Sequence, residues 1–426
     1  MTTADPPRAR VADWAGLPGD LLACVRELLT AVPGRVCFRA VCRSWRAADG
    51  PRPVPRMPPP WVVLPLGTAG CSAAFTLLSV PTMQAFRWSP PGGAGLRCVG
   101  SSGGWIAGAY IDADLKIRLS LLNPLTDARV DVPAPFGRVY HLSSSSRSAT
   151  EEISLCNAFQ KVAFSPSPTE HDFAVAVVTR NRSGKAMAFA RAGCNEVWVA
   201  DLGPFERGGD YIRAQLDVAY HDGKFYYMTM SGQVWVVDMA APSPSPAPFA
   251  TFEPTMPGLI DRRHHLAFTG DGALHIVCSS IREHHSSDGN MLALRYAPSC
   301  TAEQGSSSST WAQVTCLHGQ AFLIGDLNQT LSVHADGDDG AWLRPDCVYF
   351  TNIPLCSLLA ESRECSYGRA WVLHLATGDI RRPLQIKVDS ATGERRNYKV
   401  ERHWGEDYPK CVWIMPSMRR RCMYIP

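Results

Sequence analysis

The sequence predicts a mainly β chain, in which a small N-terminal helical module precedes a β-propeller of six or seven blades. Three observations carry this expectation. Helical periodicity is confined to residues 13–50, and from Trp61 onward short β-branched and aromatic runs alternate with Gly, Asp, Asn and Pro turns. Several of those runs also repeat one unit at about forty-residue spacing, as a propeller blade requires. Gly 34 and Pro 33, in a chain of 426 residues, suit such a turn-rich fold.

Residues 1–12 carry Arg8 and Arg10 before any apolar run, so no signal peptide is expected there and the segment reads as disordered. The first helix opens at Leu17-Pro18. Proline fits the first turn, where its missing N–H costs nothing, and Asp20 complements the positive helix start. Leu21, Leu22, Val25, Leu28, Leu29 and Val32 then recur on one face until Pro33-Gly34 breaks the helix. In a second helix Cys37, Val41 and Trp45 fall four apart, flanked by Phe38 and Cys42, while Arg35, Arg39, Arg43 and Arg46 lie mostly opposite. Two helices this short hold little core of their own, which favours a partner covering the remaining apolar surface. A plain helical hairpin with an inward stripe is the bland alternative.

Residues 51–60, PRPVPRMPPP, form a proline-dense spacer with polyproline character. Residues 61–416 are expected to form the propeller. Trp61 to Phe86 carries no charge, yet Pro65, Gly67, Gly70 and Pro81 interrupt it, so buried strands suit it better than a membrane helix. Repeat units are visible at Leu96–Thr126, at Val218–Asp238 around Asp222-Gly223, and at His265–Tyr296 around Asp271-Gly272. Gly193–Asp201, Gln320–Val333 and Cys347–Leu375 supply further pieces. Ser143–Ser148, Pro242–Pro248 and Gly305–Ser309 read as inserted mobile surface loops. A pair of β-sandwiches is the competing architecture, but it does not need the recurrent hairpins. Residues 417–426 end the chain as a short basic tail around Arg419-Arg420-Arg421.

The net charge of +3 makes no case for nucleic acid. The 15 cysteines are dispersed and form no CxxC pair, so reduced thiols are expected, with no metal and no cofactor. Sequons at Asn181 and Asn328 carry no function in a non-secreted chain. Gly100-Ser101-Ser102-Gly103-Gly104 fits G-x-S-x-G, but a strand follows where a nucleophile elbow needs a helix, so a hairpin is expected. The pairs His264-His265 and His284-His285 read as loop residues, since strand neighbours point to opposite faces and cannot share a metal. Gly184-Lys185 lacks the rest of a phosphate loop. No catalytic residue is identified.

The ordered series Leu17-Pro18, Leu21-Leu22, Val25, Arg39, Val41-Cys42 and Ser44-Trp45-Arg46 resembles the F-box, with Arg35 where a leucine is often found. That resemblance implies docking on a Skp1-type adaptor, and through it a cullin, by Leu17, Pro18, Leu21, Leu22, Val25, Val41, Cys42 and Trp45. The larger region resembles the KIB-type β-propeller that follows an F-box in many plant proteins. The residues concerned are Pro60–Pro65, Gly100–Trp105, Leu122-Asn123-Pro124, Ala321–Asp326, Cys347–Thr351 and Val412–Ser417. His318-Gly319-Gln320 stands where the family has an acidic residue. Together they imply a non-catalytic substrate receptor of a Skp1–cullin–F-box ubiquitin ligase, nuclear or cytoplasmic, whose propeller holds an unknown target protein. The alternatives are a propeller scaffold or ligand sensor with a ligase-independent F-box, and a propeller enzyme, for which no converging carboxylate, His or Tyr cluster is visible.

Overall fold

The computed structural model describes residues 14–28, 38, 41–48, 60–66, 74–79, 85–90, 96–112, 117–133, 159–181, 184–194, 198–204, 217–229, 232–252, 262–280, 292–297, 310–335, 343–351, 369–377, 380–385 and 412–415. The expected disordered start, the bulk of the proline spacer, the basic tail, His284-His285 and two of the three inserts lie outside them. The chain divides into two compact units, Met1–Pro58 and Pro59–Pro426.

The first unit holds a 3-10 turn (Trp14–Gly16), helix α1 (Gly19–Leu28) and helix α2 (Arg43–Ala48). The second is a ring of six sheets, which decides the blade count at six.

The first blade pairs β1 (Trp61–Leu66), β2 (Ala74–Ser79) and β3 (Ala85–Trp88), so the described parts of the charge-free stretch are strands. β4 (Arg97–Ser102), β5 (Trp105–Ile111), β6 (Ile117–Asn123) and β7 (Ala128–Val132) make the second. The third is β8 (Phe159–Phe164), β9 (Ala174–Asn181), β10 (Gly184–Arg191) and β11 (Trp198–Pro204). β12 (Val218–His221), β13 (Lys224–Met228), β14 (Gln233–Asp238) and β15 (Pro246–Thr251) form the fourth. The fifth contains β16 (Arg262–Phe268), β17 (Leu274–Ser280), β18 (Leu292–Ala297) and β19 (Thr310–Val314). These four are plain antiparallel meanders.

The sixth blade departs from that plan. Its five strands are β20 (Gln320–Ile324), β21 (Leu331–His334), β22 (Cys347–Thr351), β23 (Arg369–His374) and β24 (Ile380–Gln385), in the order β21-β20-β22-β23-β24. β20 and β22 run parallel, and β21 folds back to become the innermost strand. The final strand, β25 (Val412–Ile414), joins the first blade by pairing antiparallel with β1, Trp61 opposite Ile414.

Closure is needed because each sheet is apolar on both faces. Val62, Tyr349 and Trp413 share one cluster between the sixth and first blades, while Val99, Phe164 and Val175 share another between the second and third. Similar layers built on Phe189 and Phe225, on Leu266 and Ile276, and on Phe322 and Phe350 fill the next interfaces. The inner strands approach closely: a Cβ on Gly100 in β4 would collide with the Val162 carbonyl of β8. That glycine therefore serves packing. Gly103, at φ +55, turns β4 into β5 with Ser102 opposite Trp105, so the G-x-S-x-G match is a hairpin as expected.

Two expectations need correction. Pro246 to Pro248 are no loop but begin β15, the outermost strand of the fourth blade, where missing N–H groups are tolerated. His264 and His265 stand in β16 and pack on opposite sides, His264 near Phe252 and His265 near Phe350. Asn328 is wholly buried, which agrees with discounting its sequon.

Trp413 is fully buried and donates its indole N–H to the Ile324 carbonyl across the seam at 3.3 Å. Trp413→Ala should therefore cost about 3–5 kcal/mol, read as a lower urea midpoint. An unchanged midpoint would show that the seam contributes little.

Burial also holds three protons firmly, pushing the Cys347 thiol from 9.0 up to about 11 and the Tyr227 and Tyr349 phenols from 10.0 up to about 12. The folded state binds these protons more tightly than the unfolded state. Their stabilisation is complete below pH 9.0 and is lost as pH rises through about 11 for the thiol and about 12 for the phenols. Urea midpoints measured from pH 8 to 12 should fall across that window, and a flat profile would contradict the burial argument.

Candidate functional site

In the N-terminal unit, helix α1 begins as its proline dictates. The Leu22 amide donates to the Pro18 carbonyl at 3.0 Å, with Asp20 in the first turn and Arg26 in the last, each favourable to the helix dipole. Leu22 and Phe38 are the buried apolar residues of this unit among those described. Phe38 packs on Trp45 at a ring separation of 4.9 Å. The Trp45 indole donates to the Trp14 carbonyl at 2.7 Å, and the Ser44 hydroxyl donates to the Ala15 carbonyl at 2.9 Å. α2 thus pins the turn that precedes α1.

The predicted docking residues divide by this geometry. Leu22 faces the unit's own core, and Leu17, Val25, Cys42 and Trp45 are half-buried. Pro18 is exposed, and Leu21 and Val41 retain 49% and 51% exposure. Trp14, which precedes the apolar stripe, and Leu28, which belongs to it, are not among the predicted docking residues yet are more exposed still. The Ser44 hydroxyl, 2.9 Å from the Cys42 sulfur, holds that thiol below its ordinary range. This unit is a small folded support with large apolar side chains left in water.

In the ring unit polar contacts tie the inner parts of several blades together. The loop between β20 and β21 takes part: the Gln329 amide donates to the Ser101 carbonyl of the second blade at 3.1 Å. The Gln329 side-chain amide reaches the Tyr220 carbonyl of the fourth blade at 2.7 Å. Ser101 itself donates to the Trp413 carbonyl at 2.7 Å. A buried ion pair, Lys161 on β8 with Asp217 just before β12, joins the third and fourth blades, and Asp217 also accepts from the Leu266 amide of the fifth at 2.6 Å. These polar groups are spent on structure. Ser102, the serine of the G-x-S-x-G match, is buried in β4 with no base described beside it.

The outer part of the ring presents a different surface between the fourth and fifth blades. Rings run continuously from His221, stacked on Phe268 at 4.2 Å, through Tyr226 and Phe249 to Tyr296 and Trp311. Phe249, on edge strand β15, is 37% exposed, and the Trp311 indole is anchored to the Thr251 carbonyl at 2.9 Å. Burial first, then the Asp222 and Asp238 carboxylates, keep the Tyr226 phenol protonated above its ordinary range. Rigid, partly exposed aromatics of this kind are good anchors for another protein.

Comparison with known proteins agrees with this geometry. Residues 77–380 match the family described as KIB1-4 beta-propeller. Two curated relatives, both from Arabidopsis thaliana, are F-box protein SKIP23, 26% identical over 251 residues, and F-box protein At2g17036, 22% identical over 245. The matches take in 54% of this chain and 57% and 56% of those proteins, so the chain spans just over half the length of the relatives it matches. Among solved structures, TolB from Acinetobacter baumannii aligns over 82% of this chain and 72% of its own, with TM-score 0.39 and 10% identity.

Proposed function

Since the chain belongs to the KIB1-4 β-propeller family, we propose that it is the substrate-recognition subunit of a Skp1–cullin–F-box ubiquitin ligase. In this reading the N-terminal unit binds a Skp1-type adaptor and the propeller holds a target protein. One observation carries it: a unit too small to bury Trp14, Leu21, Leu28 and Val41 leaves them in water. Burying such side chains against a partner contributes about 1.5–3 kcal/mol each. Both curated relatives are F-box proteins, which supports the same assignment.

The mechanism is proximity and involves no bond chemistry on this chain. Holding a target beside a charged ubiquitin carrier raises its effective concentration there and converts an encounter into an intramolecular step. Docking falls to Leu17, Pro18, Leu21, Val25 and Val41. Leu22 and Trp45 act by holding the helices in place. We assign target binding to the aromatic surface around Phe249, and place the assembly in the nucleus or cytoplasm.

Leu21→Asp combined with Val41→Asp should abolish co-purification of the adaptor while leaving the propeller's melting midpoint unchanged, as should Leu17→Ala with Pro18→Ala. Retained adaptor binding in both variants would refute the ligase reading, and cullin association in cells separates it from a ligase-independent scaffold.

Phe249→Asp should lower proximity labelling of targets about ten-fold or more under proteasome inhibition, with adaptor binding intact, as loss of one aromatic anchor costs about 2 kcal/mol. Equal labelling by the variant would move the target surface elsewhere on the ring.

A further inference from the structure

We propose that the surface between the fourth and fifth blades selects a cationic segment of the target, an arginine- or lysine-bearing stretch held over aromatic rings beside carboxylates. This rests on the assignment of target binding to that surface and names the chemistry it recognises. Ring centroids of Tyr226 and Phe249 are 5.2 Å apart, those of Phe249 and Tyr296 5.2 Å, and those of Tyr226 and Phe268 4.8 Å. Phe249 is exposed and the other three are half-buried, so the run is in part open to solvent. The face of such a ring is the negative side of its quadrupole, which attracts a guanidinium or ammonium group and repels a carboxylate.

The charges beside the rings have the matching sign. Behind burial, the carboxylates of Asp222 and Asp238 both act on the Tyr226 phenol, and no cationic side chain opposes them there among the described residues. Asp238 is shared with Lys224 at 3.9 Å, both groups being roughly half exposed, and Asp271 is held by Arg295 at 3.2 Å. Asp222, exposed in the turn between β12 and β13, makes no ion pair with a described residue. On the side toward the third blade, burial first and then Asp172, with Asp222 behind it, act in the same sense on the Tyr220 phenol. The whole chain carries +3, so this negative border is local and opposite in sign to the molecule.

A ring face alone or a carboxylate alone gains little from a solvated cation. Side by side they hold one long cationic side chain by stacking along its stem and by charge at its head. An acidic segment would meet like charge at Asp222, and an aliphatic one would leave that carboxylate unused. The two contributions can be removed separately. Asp222 takes φ +46, which asparagine also tolerates, so Asp222→Asn removes the charge and keeps the hairpin. Phe249→Leu keeps an apolar side chain on β15 and removes the ring.

The test is fluorescence anisotropy on the full chain at physiological salt, with a dye-labelled glycine-serine peptide carrying four arginines and the same peptide carrying citrullines or glutamates instead. The arginine peptide should bind about ten-fold more tightly than either. Phe249→Leu should weaken it about five-fold, Phe249→Tyr should restore it, and Asp222→Asn should weaken it about three-fold. Equal affinity for the arginine and citrulline peptides, or no measurable binding of the arginine peptide, would overturn the proposal. So would an unchanged affinity in both Phe249→Leu and Asp222→Asn. The surface assignment fails separately: it is lost if Phe249→Asp leaves target labelling unchanged, whatever the peptides do.

Discussion

The whole ring depends on one pairing, that of β25 with β1, because no blade buries its two apolar faces alone. Trp413 in β25 is enclosed by neighbours from the sixth blade and by β1, and its carbonyl is capped by Ser101 of the second. A strand of three residues thus completes a sheet whose other strands were laid down about 350 residues earlier. Loop-closure entropy grows only logarithmically with length, so this separation costs far less than its span suggests. The larger cost is kinetic, since non-local pairing of this sort folds slowly.

The polar bonds between blades form a second tier that depends on the first. Gln329 spans from the sixth blade to the second and fourth, and Asp217 links the third, fourth and fifth. Backbone carbonyls receive the Gln329 contacts, and the Asp217 carboxylate receives the others.

Much of this architecture was legible where local chemistry and fold agree. Asp222-Gly223 reads as a tight hairpin, and both residues take positive φ, at 46° and 78°. Asp271-Gly272 is similar, with Gly272 at 81°. The blade number was ambiguous because the sixth blade inserts the β20–β21 hairpin against a parallel neighbour, which erases regular spacing. β15 was hidden by its prolines, which mark a loop everywhere except on a sheet edge. The loop between β20 and β21 carries no periodic signal at all, only a polar interruption between two apolar strands. In the helical unit the apolar stripe was plain, but which flank faces inward was not. Leu21 and Leu22 are neighbours in sequence, yet in the folded unit Leu22 is buried and Leu21 is half exposed.

The prolines of β15 have one more consequence. An outermost strand with free amides invites a stranger's backbone to extend the sheet, but Pro246 and Pro248 offer no N–H with which to begin. The same border displays Phe249. Side-chain adhesion and backbone adhesion are thereby uncoupled: this rim can grip a visitor through its rings while refusing the main-chain zippering that leads crowded proteins into aggregates.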